Sequence, residues 1–430
     1  MTNTLNRPST RTRPVRPDEP TAPNASTMFS VLQGPTFRKL FAAQVIALVG
    51  TGLLTVALGL LAFDIAGDAA GAVLGTALTI KMVAYVGLSP VISAVAARIP
   101  RKPLLIGADL VRVGIAACLP FVTQTWQIYV LIFILQSASA AFTPAFQSTI
   151  PAILPEERDY TKALSLSRLA YDLESVVSPM LAAALLTVMS FHNLFVGTAL
   201  GFAASALLVA RTVLPAAPMR AESPFRERLT CGVRLMFGLR ELRGIQGINL
   251  AVAAVQSMVI VNTVVLVRDY LDRPQSDVAV LLGAFGAGSM LVALAMPRLS
   301  RTFRDFRMML AGATAAVALL GVFGLAVPSL ADAPSAPTAT TSWALVLVAW
   351  LVLGAAVSLM LTPLSNVIAG ASTESTRPAL FAAQFSLSHA CFLITYPLAG
   401  LAGSVLGLSA TCAILVGVGA LGVAIAARNR

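Results

Sequence analysis

The chain has 430 residues, 57% of them hydrophobic and 11% charged, with a mean hydropathy of +0.82. A soluble domain carries roughly 25% charged residues, so an assembly of soluble domains is excluded and a membrane protein is expected. The net charge of +11 would suit a nucleic-acid binder if it were gathered on one face, but the basic residues fall in short breaks between apolar stretches, so no nucleic-acid partner is expected.

In chain order, residues 1–33 lack the apolar core of a signal peptide and read as a disordered cytoplasmic tail. Beyond them, stretches of about 20 apolar residues, long enough to cross the bilayer at 1.5 Å per residue, recur twelve times. They lie near 40–63, 72–97, 103–123, 127–149, 163–189, 193–213, 246–267, 278–297, 308–328, 343–368, 379–403 and 407–427. This predicts an all-α membrane protein of two six-helix halves, 34–213 and 245–427, joined by a basic cytoplasmic connector at 214–244 and ending in a short cytoplasmic tail at 428–430.

With the N-terminus inside, 25 of the 30 Lys and Arg residues fall on the cytoplasmic side and only Arg268 and Arg273 outside, while Lys81, Arg112 and Arg168 lie within spans. That bias predicts both termini in the cytoplasm. Basic clusters follow the second span of each half, at Arg98, Arg101 and Lys102 and at Arg298, Arg301, Arg304 and Arg307. Matching positions in two halves point to an internal repeat with a substrate site between them, the construction of many secondary transporters.

The fifth span carries Arg168, Tyr171, Asp172 and Glu174. Counted from residue 163, the two carboxylates lie about 14 to 17 Å deep, where each costs roughly 2.5 to 3.5 kcal/mol and needs a cavity or a partner. Arg168 stands four residues before Asp172, so the two fit one face as a pair, and Glu174 points about 200° away from Asp172. A carboxylate balanced between desolvation and a nearby cation is able to exchange protons; the plainer alternative is a structural pair with Glu174 bonded to a neighbouring helix.

In the eleventh span His389 lies about ten residues from the cytoplasmic end, near mid-membrane, and Gln384 is available either as cavity lining or for an interhelical hydrogen bond. His389 is a candidate proton relay, a candidate nickel or cobalt ligand alongside Asp172 and Glu174, or a hydrogen-bonded structural residue. Lys81 is expected to snorkel outward or to pair with Asp64. Cys118, Cys231, Cys391 and Cys412 are far apart and read as packing residues. The four lysines precede Leu40, Met82, Pro103 and Ala163, so no Walker A loop exists, and with two histidines there is no H-E-x-x-H. No enzyme and no resident cofactor are expected.

The layout resembles the major facilitator superfamily over the whole chain. In that family's first cytoplasmic loop, Gly-x-x-x-Asp-(Arg/Lys)-x-Gly-(Arg/Lys)-(Arg/Lys), the basic positions match Arg98, Arg101 and Lys102, whereas the Asp and both Gly positions hold other residues. The resemblance implies a gating role for these three, with Asp109 as the substitute carboxylate; the alternative is that they only hold topology. Ser178-Pro179 with Ala182 and Ala183 is similar to a degenerate form of the antiporters' fifth-span pattern.

Residues 143–155 and 225–237 are similar to the drug and siderophore exporter branch, and residues 40–52, 165–174 and 387–391 to its nickel-resistance exporters. The resemblance implies a monomeric exporter of the bacterial inner membrane working as a proton antiporter. Two substrates stand open: nickel or cobalt at Asp172, Glu174 and His389, or an amphipathic organic compound such as a drug, macrolide or siderophore.

Overall fold

A computed structural model describes residues 29–88, 99–214, 225–331, 336–372 and 376–429. Among the described residues, twelve helices build the two halves. A short 3-10 turn at Phe29–Gln33, with Val31 buried, leads into α1 (Pro35–Ala66), which opens on a proline in its first turn. Gly67 (φ 51°) then turns the chain into α2 (Ala70–Val83). α2 runs on as a π-helical turn over Ala84–Leu88. Single π-turns inside α-helices gather at functional positions.

The first half continues with α3 (Arg101–Cys118), α4 (Thr125–Ile153), α5 (Glu157–Leu186) and α6 (His192–Ala210). Gln124 and Gln127 form a capping box at the exposed start of α4, giving acceptors to N–H groups that the helix itself leaves free. α5 holds Pro179 in its interior, and only Val177–Leu186 is uniformly apolar. The connector contains a helix, Phe225–Gly238.

The second half comprises α7 (Arg240–Val265), α8 (Ser276–Thr302), α9 (Asp305–Ala331) and α10 (Ala336–Leu361), followed by the short helix Leu364–Gly370. The last helical stretch, Arg377–Arg428, has 52 residues. At 1.5 Å per residue it would reach about 78 Å, far beyond a core of roughly 30 Å. It is broken at Gly407, whose φ of 79° is open to glycine at no steric cost. The two arms are α11 (377–406) and α12 (408–428). The Leu408 N–H beside the break donates to Tyr270 Oη at 3.2 Å.

Small residues set the helix spacing, as expected where lipid offers no hydrophobic drive to associate. α7 is buried along most of its length and forms the axis of the second half. Between the halves, α2 packs on α11 and α5 on α8. The halves are related as an internal repeat, so these are one kind of contact made twice: second helix of one half against fifth of the other. A Cβ at Gly400 would stand 2.5 Å from the Gly71 carbonyl oxygen, and one at Gly75 would stand 2.7 Å from the Tyr396 carbonyl oxygen. The halves are therefore in backbone contact toward the end of the bundle away from the termini.

Of the cysteines described in full, Cys412 is buried beside Met258 while Cys118 is exposed, so the packing role expected for all four does not extend to Cys118. Gly75→Leu must force α2 from α11, a strain of about 1–3 kcal/mol, and its apparent melting temperature in detergent is expected to fall. Gly107→Leu, at a glycine with nothing within 4 Å of its Cβ direction, is expected to melt with the wild type.

Candidate functional site

Two polar clusters form below the surface of the bundle. The first is closed inside the N-terminal half. Asp109, fully buried on α3, pairs with Arg112 one turn along and accepts a hydrogen bond from Ser205 of α6 at 2.8 Å. The Arg112 guanidinium lies between two rings, 4.2 Å from the centroid of Phe142 and 4.5 Å from that of Phe202. Buried charge is held here by a partner, a hydroxyl and two π faces, each of which lowers the cost of leaving water. Asp109 is thus engaged within its own half.

The second cluster lies between the halves. Tyr85, on the π-helical turn after α2, is hydrogen-bonded to Ser139 of α4 and stacks on His389 of α11, with centroids 5.8 Å apart and planes 5° from parallel. Phe385 completes an aromatic wall, 4.1 Å from the His389 ring and 6.3 Å from Tyr85. His389 Nδ1 lies 2.7 Å from the Phe385 carbonyl oxygen one turn back, which fixes the ring and assigns the Nδ1 proton to that bond.

Lys81 stands one turn before Tyr85, with Nζ 5.9 Å from its ring centroid. Its charge acts on Glu174 of α5 and on His389 of α11. The outward snorkelling or Asp64 pairing expected of Lys81 is not what the fold holds: Asp64 is exposed, and Lys81 faces the inter-half cluster because its i, i+4 partner Tyr85 is anchored there. Glu174 rests against Gly52 of α1, where a Cβ would stand 2.5 Å from Oε1. Tyr171, one turn before Glu174 and about a third exposed, lies within electrostatic reach of Tyr85 and Arg112.

Of the expected site residues, the fold brings Glu174, Tyr171 and His389 to this cluster. The side chains of Arg168 and Asp172, and all of Arg98, lie outside the described residues. Gln384 is buried on α11 in a reciprocal amide pair with Asn249 of α7, at 2.8 and 3.1 Å. Arg101 and Lys102 open α3 at the end nearer the termini, and Arg101 Nη1 is buried without a hydrogen-bond partner among the described residues. Among those same residues no three His, Cys, Asp or Glu side chains converge as a metal site would require.

Sequence reasoning missed Lys81 as a member of the cluster, together with Tyr85, Phe385 and Arg112. A signal was present: Lys81 and Tyr85 at i, i+4, and Asp109 and Arg112 at i, i+3, are the spacings that put two side chains on one helix face.

A sequence model of the Major Facilitator Superfamily matches residues 40–336. Macrolide efflux protein A of Streptococcus pyogenes is 27% identical over 192 residues, 44% of this chain and 47% of that protein. The chain therefore spans about half the length of that relative. Two solved structures share the fold. The nucleoside transporter NupG superposes with a TM-score of 0.67 at 15% identity, covering 91% of this chain and 98% of that one. A bacterial homologue of the human lysosomal transporter Spinster, in an inward-facing and unoccupied conformation, gives a TM-score of 0.66 at 12% identity over 93% and 98%.

Removing one member of the closed cluster leaves the other charge buried and unpaired. Asp109→Ala is expected to cost about 3–5 kcal/mol, and the double change Asp109→Leu with Arg112→Met to cost less. Melting temperatures of the three purified proteins in one detergent check the order.

Proposed function

The chain belongs to the major facilitator superfamily, a family of membrane transporters, and we propose that it is a proton-coupled exporter of amphipathic organic compounds of the macrolide kind. In this reading it lies in the bacterial inner membrane with both termini in the cytoplasm, as the 25 cytoplasmic basic residues favour. The observation that carries the substrate class is the similarity to macrolide efflux protein A. The inter-half cluster supports it: the rings of Tyr85, His389 and Phe385 offer apolar faces, and Glu174 offers one carboxylate, which suits a large organic body with a basic amine.

Nickel or cobalt export lacks such support. Among the described residues no three His, Cys, Asp or Glu side chains converge to hold such an ion.

Transport follows from rocking of the two halves about the α2–α11 and α5–α8 contacts. In this account the close contact of Gly75 with Gly400 seals the end of the bundle away from the termini, and substrate enters from the other end. Substrate amine and proton compete for Glu174. Binding inside displaces the proton, and protonation outside weakens the hold on the amine and releases it. The Asp109–Arg112 pair, closed within the first half, keeps that half rigid while it moves.

In an efflux-deficient bacterial host, wild type is expected to lower steady-state erythromycin accumulation several-fold and a protonophore to abolish the effect. Glu174→Gln, at matched membrane expression, is expected to accumulate as much drug as the empty host. Unchanged accumulation with wild type would refute organic efflux of this class, and full activity of Glu174→Gln would remove that carboxylate from the coupling.

A further inference from the structure

Building on the efflux reading, we propose that the inter-half site selects compounds carrying an acidic group as well as a basic one, with Lys81 receiving the acid and Glu174 the base. A macrolide-type cation fills only half of such a site.

The two ionisable groups lie on different helices, Lys81 on α2 and Glu174 on α5, and feel one another's charge. They do not close to an ion pair, although other charged pairs in the molecule do: Arg112 with Asp109, Lys162 with Asp159, and Arg273 with Asp277. Nor does Lys81 Nζ give a hydrogen bond to any described residue; the Tyr85 ring centroid lies 5.9 Å from it. An ammonium group within a membrane span normally has an acceptor or a counter-charge, because hydrocarbon supplies neither. Here the acceptor must come from what enters the site.

Opposite charges on two helices that act on one another without joining, with an aromatic wall beside Lys81, suit a ligand of a particular shape. Its acidic group meets Lys81 Nζ, its ammonium meets Glu174, and its ring system lies against Tyr85, His389 and Phe385. A compound with only the base leaves Lys81 without an acceptor and places two cations near one carboxylate. One with both groups neutralises both ends, and the charge-assisted hydrogen bonds so formed are among the stronger available in a partly dry site. The arrangement also sets Lys81 apart from Arg112, whose charge is already satisfied by Asp109.

The test uses the purified full chain in lipid nanodiscs and a matched pair of probes: norfloxacin, which carries a carboxylate and a basic amine, and its methyl ester, which keeps only the amine. Wild type is expected to bind the acid about tenfold more tightly than the ester, the worth of one charge-assisted contact. Lys81→Met is expected to bind the two within twofold of each other, with the ester bound at least as tightly as by wild type because one of the two cations near Glu174 is gone; that binding shows the variant is folded. Lys81→Arg is expected to retain most of the preference. Should Lys81→Met fail to bind the ester, Lys81→Gln takes its place in the comparison.

Equal binding of acid and ester by wild type, no binding of either, or a preference that survives loss of the Lys81 charge would overturn the proposal. Each of those results leaves the efflux reading to stand or fall on erythromycin accumulation, which does not require an acidic group.

Discussion

An ionised side chain held away from water needs a partner, and this requirement organises the molecule more than any single packing contact. In the first half, Asp109 and Arg112 answer it locally with one another, Ser205 and the faces of Phe142 and Phe202. Between the halves it is answered only in part, since Lys81 and Glu174 share a field without joining. The closed cluster satisfies its charges within one half, and in the other cluster Lys81 and Glu174 form no ion pair with each other. Aromatic rings serve in both places because a π face accepts a cation without demanding a second charge.

The two halves meet the same requirement differently. The first uses formal charge, with hydrogen bonds from Ser167 to Gln44 and from Thr198 to the Gly50 carbonyl in support. The second is knitted from neutral groups around α7: Asn249 with Gln384, Ser257 with Thr395, and Trp350 with Thr263. The charged groups of the open cluster thus reside on α2 and α5, while α11 of the other half supplies Phe385 and His389. Tyr85 and His389 stack across the boundary. Those rings sit on the α2 side and on α11, the pair of helices about which the halves are proposed to rock.

The number of helices was legible because it depends on lengths of apolar chain, which the bilayer fixes. The expected break at 63–72 contains the turn at Gly67, whereas the last turn falls at Gly407, which the apolar lengths had assigned to the start of the twelfth span. Membership of Glu174 in a polar cluster was legible because a carboxylate at that depth requires company. The rotation of each helix about its axis was not. α2 is apolar nearly all round, so nothing in its pattern says which face turns inward; that is settled by the contact of Gly75 with Gly400, a partner more than three hundred residues away. Lys81 consequently read as an outward snorkeller and Tyr85 went unnoticed. Gln384 read either as site lining or as an interhelical hydrogen-bond partner, and its amide is bound to Asn249 on a helix no local pattern could connect to it. Substrate class is harder still, since it depends on convergence: resemblance of short segments favoured nickel or cobalt, whereas the similarity to a macrolide efflux protein favours the organic reading.

The central claim is that substrate and proton compete for the carboxylate between the halves. The most direct measurement is proton release on adding erythromycin to the detergent-purified protein in weakly buffered solution near neutral pH, followed with a pH-sensitive dye. The account predicts a saturable release from wild type that disappears in Glu174→Gln while that variant remains folded. Binding of erythromycin with no release from wild type, or an undiminished release from Glu174→Gln, would contradict it.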